Sequence, residues 1–444
     1  MKTIIEGNKA IIKLLGSQNC KADSYRLMKY VLATECEDGI LLHNVITGRM
    51  VLLSDEEKQL INATSTEYNE QMDDLINGLF LVTDRYDERD TVYKLRKILE
   101  RLFMPRAVES YVILPTTNCN AKCYYCFENN LLPLSMSSET SEKLVEYIVN
   151  HNGKRKVHLE WFGGEPLLGV NVISRICGML SDRGVDYFST MISNGYLFVP
   201  DLIKKAINNW KLNKVQITLD GTEEVYNNVK AYKNVKGSAF KIVMRNIYNL
   251  LAANIQVIIR LNLDQHNYED LKTLSCLLGE KFSHFSNFQV YVQAVQKDAG
   301  YAPLSRSLSA EQKLYLEQVE LSEWVKALGL SKSDSILPSL NFVRCVSDNP
   351  GMVVVYPDGR LYKCENIIEA ENIGSIYTDR IDIKIKDIYK ERTEMEECKT
   401  CPLFPKCILL KRCPANESYN RITCNYDVNC YKKIMLYNYE LAKK

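Results

Sequence analysis

Three cysteines stand close together in the chain, Cys119, Cys123 and Cys126, with the spacing C-x3-C-x2-C. Three thiolates on one loop can hold three corners of a cube-shaped iron–sulfur cluster, which leaves the fourth iron without a protein ligand. An open metal position is typical of catalytic sites, whereas closed sites are structural. The alternatives are three reduced cytosolic thiols or part of a zinc site.

The spacing resembles the signature of the radical S-adenosylmethionine (radical SAM) enzymes, and Tyr125, directly before the third cysteine, fits that signature. The resemblance implies that the open iron binds the amino and carboxylate groups of SAM. It further implies that one electron from the cluster cleaves SAM to methionine and a 5′-deoxyadenosyl radical.

Strand-like and helix-like segments alternate from residue 108 onward, which predicts parallel βα units. Six units indicate a partial barrel, in which functional residues belong at the carboxyl ends of the strands. The predicted strands are residues 110–114, 157–162, 187–192, 214–219, 256–263 and 288–295. The helical patterns between them include residues 138–149, 170–183, 201–208 and 240–253.

Residues capable of chemistry follow each predicted strand. The cysteine loop follows the first strand, and polar or glycine-rich segments follow the others. Repeated placement at one end of successive strands is a stronger signal than any single motif. In chain order these segments are Gly163-Gly164-Glu165-Pro166, Ser193-Asn194-Gly195, Asp220-Gly221, Arg260 with Asn262, and Gln293 with Gln296.

The segment Gly163-Gly164-Glu165-Pro166 combines close backbone approach with a carboxylate that could accept from an ammonium group. A lone G-G-E-P is more often a turn. After the second strand, however, it is similar to the radical SAM segment that binds the amino group of SAM. The same resemblance implies that Ser193 and Asn194 contact the ribose hydroxyls of SAM.

Two charged residues lie at later strand ends. Arg260 can form a bidentate pair with a carboxylate, and the resemblance implies that it meets the SAM carboxylate; the alternative is a surface salt bridge. Asp220 belongs to an Asp-Gly pair that could simply form a turn. In radical SAM relatives this strand end faces the substrate, so Asp220 is predicted to be a substrate contact or a catalytic base.

The other cysteines also group, because eight of the fifteen lie in about the last hundred residues. In a reducing compartment such groups are more often metal ligands than disulfides. The eight are Cys345, Cys364, Cys398, Cys401, Cys407, Cys413, Cys424 and Cys430. Isolated cysteines, interpreted as small buried side chains, are Cys20, Cys36, Cys177 and Cys276.

This cysteine field resembles the SPASM extension of radical SAM enzymes, which carries two auxiliary 4Fe–4S clusters. Residues 353–364 are typical of it, a hairpin whose Pro357-Asp358-Gly359 turn aims Cys364 at a cluster. A pair of zinc ribbons is the alternative. By resemblance, one cluster uses Cys345, Cys364 and Cys413, the other uses Cys398, Cys401, Cys407 and Cys430, and Cys424 is either a fourth ligand of the first or a free thiol.

Residues 1–85 are predicted to form a winged-helix-like domain, with strands at 29–35, 39–45 and 49–53, a helix starting after Ser54, and a second helix near 67–77. They resemble the peptide-recognition domain of ribosomal-peptide maturases, which binds a leader peptide as an added strand. The alternative is an accessory packing domain, and acidic helices argue against DNA binding. The further predicted segments are a helical connector (86–107), the barrel (108–308), a bridging helix (309–339) and the SPASM domain (340–444).

Composition sets the remaining bounds on the 444-residue chain. A hydrophobic fraction of 46% and a charged fraction of 25% are ordinary for a globular protein. The net charge of +1 gives no reason to expect nucleic acid or a membrane surface as a partner. No apolar run reaches the roughly 20 residues of a membrane span, and the N-terminus has no signal-like core. The expected location is the cytoplasm.

The combined prediction is an α/β enzyme with a partial (β/α)6 TIM-like radical SAM barrel between a winged-helix-like domain and a SPASM domain. Its predicted cofactors are SAM and three 4Fe–4S clusters, one SAM-binding and two auxiliary. The predicted activity is crosslinking, through a thioether or carbon–carbon bond, of a ribosomally made precursor peptide with a leader. Flavodoxin or ferredoxin is the expected electron donor. Alternatives are an anaerobic sulfatase maturase and a non-catalytic iron–sulfur carrier; the GGEP and SNG segments argue against a carrier.

Overall fold

The structure is a computed structural model of the chain. It describes residues 1–16, 22–61, 66–103, 107–129, 131–233, 235, 237–295, 308–331, 340, 349–365, 372–378, 380–381, 399–406 and 428–443.

The first part of the chain forms an antiparallel sheet with strand order β1-β5-β4-β3, and a smaller sheet with order β6-β2-β7. The predicted strands and hairpin are confirmed here within one or two residues. In chain order the elements are β1 (Lys2–Ile5), α1 (Lys9–Gly16), β2 (Ser24–Leu27), β3 (Val31–Cys36), β4 (Gly39–Asn44), β5 (Met50–Leu53), β6 (Thr66–Glu67), α2 (Asp73–Asn77), β7 (Leu81–Val82) and α3 (Glu88–Phe103).

The two helices predicted for this part are shorter than expected. Ser54 starts only a 3-10 turn, Glu57–Leu60, in which its Oγ accepts from Glu57 N (3.4 Å) and its N–H donates to Glu57 Oε2 (2.9 Å). The second predicted helix is reduced to α2 and a 3-10 turn, and its first residue, Glu67, pairs with Ser24 of β2 as part of β6. The polar pattern of the sequence did not distinguish these short turns from helices.

The first part of the chain shares a hydrophobic core with the C-terminal helix α11 (Val428–Lys443). Buried Tyr431, Ile434 and Met435 of α11 join the same cluster as Leu41 and Val51 of the sheet. Residues 1–85 therefore do not pack as an independent unit, and removing them would expose this face of α11.

The central sheet contains the six predicted parallel strands, in the order β13-β12-β11-β10-β9-β8. The strands are β8 (Ser110–Ile113), β9 (Val157–Trp161), β10 (Tyr187–Ser193), β11 (Leu212–Leu219), β12 (Gln256–Leu263) and β13 (Phe288–Ala294). The helices are α4 (Ser138–His151), α5 (Val170–Asp182), α6 (Pro200–Trp210), α7 (Glu223–Lys230), α8 (Ala239–Ala252), α9 (Tyr268–Phe282) and α10 (Leu308–Ala327).

Local signals start several of these helices. Ser137 and Ser238 each cap a helix by accepting from a backbone N–H three residues on, at 3.0 Å and 3.3 Å. Pro200 occupies the first turn of α6, where its missing N–H costs nothing. Side chains alternate along β9, so that Val157, Leu159 and Trp161 are fully buried against the helices while the opposite face is polar.

The sheet continues past β8 into the C-terminal region, through β14 (Met352–Val355), β15 (Arg360–Tyr362), β16 (Gly374–Ser375) and β17 (Arg380–Ile381). The predicted hairpin at 353–364 is confirmed as β14 and β15. β14 also pairs in parallel with β8, in the register Met352↔Ser110 to Val355↔Ile113, which the sequence analysis did not foresee. Within the described ranges, no helix is both long and apolar enough to cross a bilayer.

Candidate functional site at the strand ends

The cysteine loop connects β8 to α4, and hydrogen bonds join its two ends. Thr116 forms an isolated antiparallel bridge with Ser135. Thr117 Oγ1 donates to the carbonyl of Leu132 at 2.8 Å, and Thr117 N donates to Leu134 O at 2.9 Å. These bonds fix the base of the loop before its first cysteine.

Gly163 and Gly164 pack directly against the backbone of this loop. Gly164 N donates to Thr116 O at 3.2 Å, and Glu165 N donates to Asn118 O at 2.8 Å. A Cβ on Gly163, which has a φ of +104°, would lie 2.5 Å from Thr116 O, and one on Gly164 would collide with Asn118 O. The close approach inferred from the sequence is therefore made, within this structure, by the chain's own cysteine loop.

Glu165 is completely buried and its carboxylate is surrounded by neutral donors. It accepts from Ser193 Oγ at 2.9 Å, from Asn194 N at 2.9 Å and from Leu167 N at 3.1 Å. Burial outweighs these bonds and raises the pKa of Glu165 to about 6. Glu165 and Ser193 are therefore hydrogen-bonded to each other, and this bond links the end of β9 to the end of β10. Contacts of these residues with SAM stay predictions.

Asn194 lies next to the first cysteine. Its Nδ2 donates to Asn120 Oδ1 at 2.7 Å and lies 4.0 Å from Cys119 Sγ. Tyr226 and Tyr232 both reach Asn194 O with their hydroxyls, at 3.4 Å and 3.3 Å. The third strand end is therefore in contact with the cysteine loop, as the sequence predicted for a shared edge.

Two thiols of the loop experience opposing influences from their surroundings. Burial raises the pKa of Cys119 to about 11 and of Cys126 to about 12, which favours the neutral thiol over the thiolate. Ala121 N donates to Cys119 Sγ at 3.4 Å, and Glu128 N donates to the sulfur of Cys126. These backbone hydrogen bonds to half-buried cysteines act against the effect of burial and fit the thiolate ligands of an iron–sulfur cluster. In the described part of the chain, no three His, Cys, Asp or Glu side chains converge on a single-ion site.

Tyr125, Asp220 and Lys230 form a buried network beside the second and third cysteines. Asp220 is 2% exposed and Lys230 is 3% exposed. Lys230 Nζ lies 3.1 Å from Asp220 Oδ2 and donates to the Tyr125 hydroxyl at 3.0 Å. That hydroxyl donates to Asp220 Oδ1 at 2.7 Å. Asp220 was predicted to be a substrate contact or a catalytic base, and in the structure it forms a buried ion pair with Lys230.

Sequence reasoning missed Lys230, because α7 was not predicted and no motif marks this lysine. The only available signal was a lysine ten residues after Asp220, in the last turn of a helix with acids in its first turn. It also missed Glu128, whose burial and proximity to Glu365 raise its pKa to about 8. Glu128 Oε1 has no hydrogen-bond partner among the described residues.

The fifth strand end joins the same network. Asn262 Nδ2 donates to Asp220 Oδ1 at 3.3 Å, and Arg260 Nε donates to Asn262 Oδ1 at 2.9 Å. Gln293 on β13 is half-buried and donates to Ala294 O at 3.4 Å. Gln296 lies outside the described residues.

The C-terminal cysteines are only partly described. Cys364 follows β15 and is buried, and Cys401 lies half-buried in a turn. Cys430 lies in α11, but its side chain is outside the described set. The other predicted ligands that lie outside the described residues are Cys345, Cys398, Cys407, Cys413 and Cys424.

Comparison with known proteins identifies the central part of the chain. The profile of the radical SAM superfamily matches residues 113–277. The radical SAM cyclopropyl synthase TigE of Paramaledivibacter caminithermalis is 21% identical over 247 residues, covering 48% of this chain and 52% of TigE. A cysteine-type anaerobic sulfatase-maturating enzyme of Clostridium novyi is 28% identical over 172 residues, covering 35% and 45%. The chain spans about half the length of the curated relatives it matches.

Two solved structures share the fold. Native anSMEcpe with bound AdoMet superposes with a TM-score of 0.58 at 19% identity, covering 75% of this chain and 98% of that one. Streptococcus suis SuiB bound to precursor peptide SuiA gives a TM-score of 0.52 at 12% identity, covering 88% and 96%. At these identities the likeness shows the fold alone.

The parallel-dominated sheet, the cysteine loop at its carboxyl edge and the profile match agree with one another. A radical SAM domain implies a 4Fe–4S cluster and SAM as cofactors. Residues 113–277 of this chain match the radical SAM superfamily and form a radical SAM domain.

Proposed function

We propose that the protein is a radical SAM maturase that installs a thioether or carbon–carbon crosslink in a ribosomally synthesised precursor peptide. When bound, a 4Fe–4S cluster and SAM would supply the radical chemistry that removes a substrate hydrogen. Cys119, Cys123 and Cys126 would hold this cluster. The other strand-end residues orient the loop and exclude water from it.

One observation carries this proposal. The three thiols lie on a loop whose backbone is packed into Gly163 and Gly164 and whose centre is anchored by the buried Asp220. Ligands held in this way are preorganised, since their positions do not depend on exposed side chains. The loop also lies at the edge of the sheet where a barrel places its chemistry.

A peptide substrate is supported by the N-terminal sheet. β3 is an edge strand of this sheet. Beside it lies a cavity of about 410 Å³, lined by residues of β3 and by residues of the C-terminal region. Among the described residues, β3 has no strand partner on its outer side, and such an edge next to a cavity suits the addition of an extended peptide strand. The lining residues are Lys29, Val31, Leu32, Ala33, Thr400, Pro402, Val428 and Lys432.

The SuiB comparison supports including the first part of the chain in this proposal. Residues 86–444 make up only about four-fifths of the chain, so a likeness covering 88% of it includes part of residues 1–85. SuiB is solved with its precursor peptide, and we carry that substrate class to this chain as part of the proposal.

The proposed division of the chain follows the predicted boundaries: a leader-recognition domain (1–85), the barrel (108–308) and a SPASM domain (340–444). Burial of Cys364 directly after the β14–β15 hairpin supports an auxiliary cluster there. Anaerobically reconstituted protein should then hold roughly twelve irons in three 4Fe–4S clusters. About four irons would remove the auxiliary clusters from the proposal.

The central test is anaerobic turnover. Reduced protein with SAM should release 5′-deoxyadenosine, and C123A should release none. C276A, which removes an isolated thiol on α9, serves as the matched control and should behave like the wild type. Turnover by C123A at the wild-type rate would disprove the proposed cluster.

With a leader-bearing peptide, mass spectrometry should show a loss of about two hydrogens for a crosslink.

The leader site is tested without deleting the first domain, since that domain shares a core with α11. A photo-crosslinking amino acid at Ala33, on β3, should capture a leader-bearing peptide. The same probe at Thr3, on the opposite edge strand β1, is the control. Equal capture at both positions would argue against the β3 edge.

Sulfatase maturation is the second candidate, favoured by the likeness to the Clostridium novyi enzyme. It predicts that a cysteine-containing sulfatase peptide without a leader is converted to an aldehyde, which a hydrazide reagent detects. A peptide that is modified only when it carries a leader excludes this candidate.

We also propose a cytoplasmic location and a flavodoxin or ferredoxin electron donor. Many reduced thiols in one chain suit a reducing compartment. Cell fractionation and replacement of a chemical reductant by reduced flavodoxin test the two statements.

A further inference from the structure

We propose that Lys230 is a positioning residue of the cysteine loop, and that its buried charge balances Asp220 beside the cluster and so sets the cluster's reduction potential. The inference rests on the proposed cluster at Cys119, Cys123 and Cys126. It adds to that proposal a residue that is on none of the motifs predicted from the sequence.

The first support is the side-chain geometry. Lys230 Nζ lies 3.1 Å from Asp220 Oδ2 and 3.0 Å from the Tyr125 hydroxyl, which itself donates to Asp220 at 2.7 Å. Tyr125 stands between Cys123 and Cys126 in the chain, so its hydroxyl fixes the part of the loop that carries two of the three thiols. Lys230 thus acts on the ligands through Tyr125.

The second support is the backbone around Lys230. Lys230 O accepts from Lys122 N at 2.8 Å, and Lys233 N donates to Asn120 O at 2.8 Å. Ala231, between them, has a φ of +42°, a left-handed conformation that ends α7. The end of α7 therefore runs alongside the cysteine loop and is bonded to it at Lys230 and again at Lys233.

The third support is burial. A charge inside the protein acts on its neighbours more strongly than a surface charge, which water and salt screen. The reduction potential of an iron–sulfur cluster depends on the net charge around it, on hydrogen bonds to its sulfurs and on its exposure. One-electron reduction adds negative charge to the cluster. An uncompensated Asp220 would therefore oppose reduction, and an uncompensated Lys230 would favour it.

The test is an anaerobic redox titration followed by electron paramagnetic resonance. The signal of the loop cluster is the one that changes on addition of SAM and is absent from C123A. K230M, which leaves Asp220 unpaired, should shift this signal to a more negative midpoint potential. D220N, which leaves Lys230 unpaired, should shift it to a more positive one. K230R should keep the wild-type potential, as should K241M, a control in an exposed pair whose Nζ lies 3.1 Å from Glu223.

The positioning role has its own readout. Y125F removes both hydroxyl bonds without changing any charge, so it should release iron to a chelator faster than wild type with little change in potential. Wild-type rates of iron release from Y125F and K230M would overturn the positioning role. Absence of a negative shift in K230M, or shifts of the same sign in K230M and D220N, would overturn the electrostatic role.

Two outcomes separate this inference from the proposed function. If wild-type protein shows no SAM-sensitive signal, the cluster proposal fails, whatever Lys230 does. If K230M does not fold, D220N still decides the electrostatic role, because a wild-type potential in D220N overturns it.

Discussion

The first half of the cysteine loop and its second half are held by different kinds of contact. Residues 116–118 are packed against residues 163–165 through glycines and neutral hydrogen bonds, which we call the glycine contact. Tyr125 is held by Asp220 and Lys230, which we call the ion-pair contact. The glycine contact contains no cation, whereas the ion-pair contact places both signs of charge beside the thiols.

This difference separates two tasks. Steric packing between backbones tolerates almost no displacement, so the glycine contact fixes where the loop begins. A buried ion pair contributes little net stability but is costly to break from one side. The ion-pair contact therefore suits control of the electrostatics around the ligands, and the glycine contact suits control of their position.

The largest effect is expected at the glycine contact. G164A should abolish stable iron incorporation, because the new Cβ would collide with Asn118 O and lie 2.5 Å from Thr117 O. Iron and sulfide content after anaerobic reconstitution measures this. The control is G178A on α5, where a Cβ meets nothing within 4 Å and the helix gains about 0.5–1 kcal/mol. Normal iron content in G164A would contradict a steric role for this contact.

The next largest effect is expected from breaking the ion pair on one side. K230M should lower the free energy of unfolding by about 3–5 kcal/mol, because it leaves Asp220 buried and unpaired. The double variant D220N/K230M should recover part of that loss, since it removes both charges. Anaerobic denaturant unfolding of the four members of this cycle measures the coupling. A double variant less stable than K230M would mean that the network acts through packing, not charge.

A smaller effect is expected from the carboxylate behind the glycine contact. E165Q should lower the free energy of unfolding by about 2–3 kcal/mol. The reason is that its amide NH2 group would face the hydrogen-bond donors that now bond to the Glu165 carboxylate. S193A should cost about 1 kcal/mol, since it removes one of the donors. Denaturant midpoints of both variants measure this. Equal losses in the two variants would show that the hydroxyl, not the carboxylate, organises this corner.

A similarly small effect is expected at His158, which lies away from both contacts and provides a baseline. Burial and Lys214 lower the pKa of His158 to about 4, and its ring nitrogens lie 3.0 Å from Ser110 Oγ and 2.8 Å from Thr190 Oγ1. The unfolded chain takes up this proton near pH 6.5 and the folded protein only near pH 4. The stability from His158 is thus complete above pH 6.5 and is lost as the pH falls toward 4.

Between pH 7 and pH 5, the free energy of unfolding of the wild-type protein should therefore fall by about 1–2 kcal/mol more than that of H158Q. Parallel denaturant unfolding at the two pH values measures it, with other titrating groups common to both proteins. An identical pH dependence would mean that His158 is not held in its neutral form.

The sequence predicted the fold where hydrophobic periodicity is strong. All six barrel strands were placed within one or two residues, because each is a short apolar run followed by a turn. No bounds were predicted for α7 and α9, because their exposed faces carry acids and polar residues that weaken the helical pattern. The pairing of β14 with β8 was missed because it joins segments more than two hundred residues apart, and no local pattern encodes it.

The position of the site could be predicted from the sequence, but the hydrogen-bond and ion-pair partners of its residues could not. The strand-end rule brought Glu165, Asn194 and Asp220 to one edge. It could not show that Glu165 would bond to Ser193, nor that Asp220 would find a lysine, because both partners are set by tertiary packing. The ligand assignments among the C-terminal cysteines stay predictions.

The parallel pairing of β14 with β8 has a consequence for how the C-terminal region is attached. β8 has β9 on one side and β14 on the other, so the C-terminal segment protects what would otherwise be an open sheet edge. Cys364 lies two residues beyond β15 and is thereby tied to the same rigid sheet that carries the cysteine loop. The β14–β15 hairpin therefore cannot swing as a tethered module, and the distance from Cys364 to the cysteine loop is set by strand spacing.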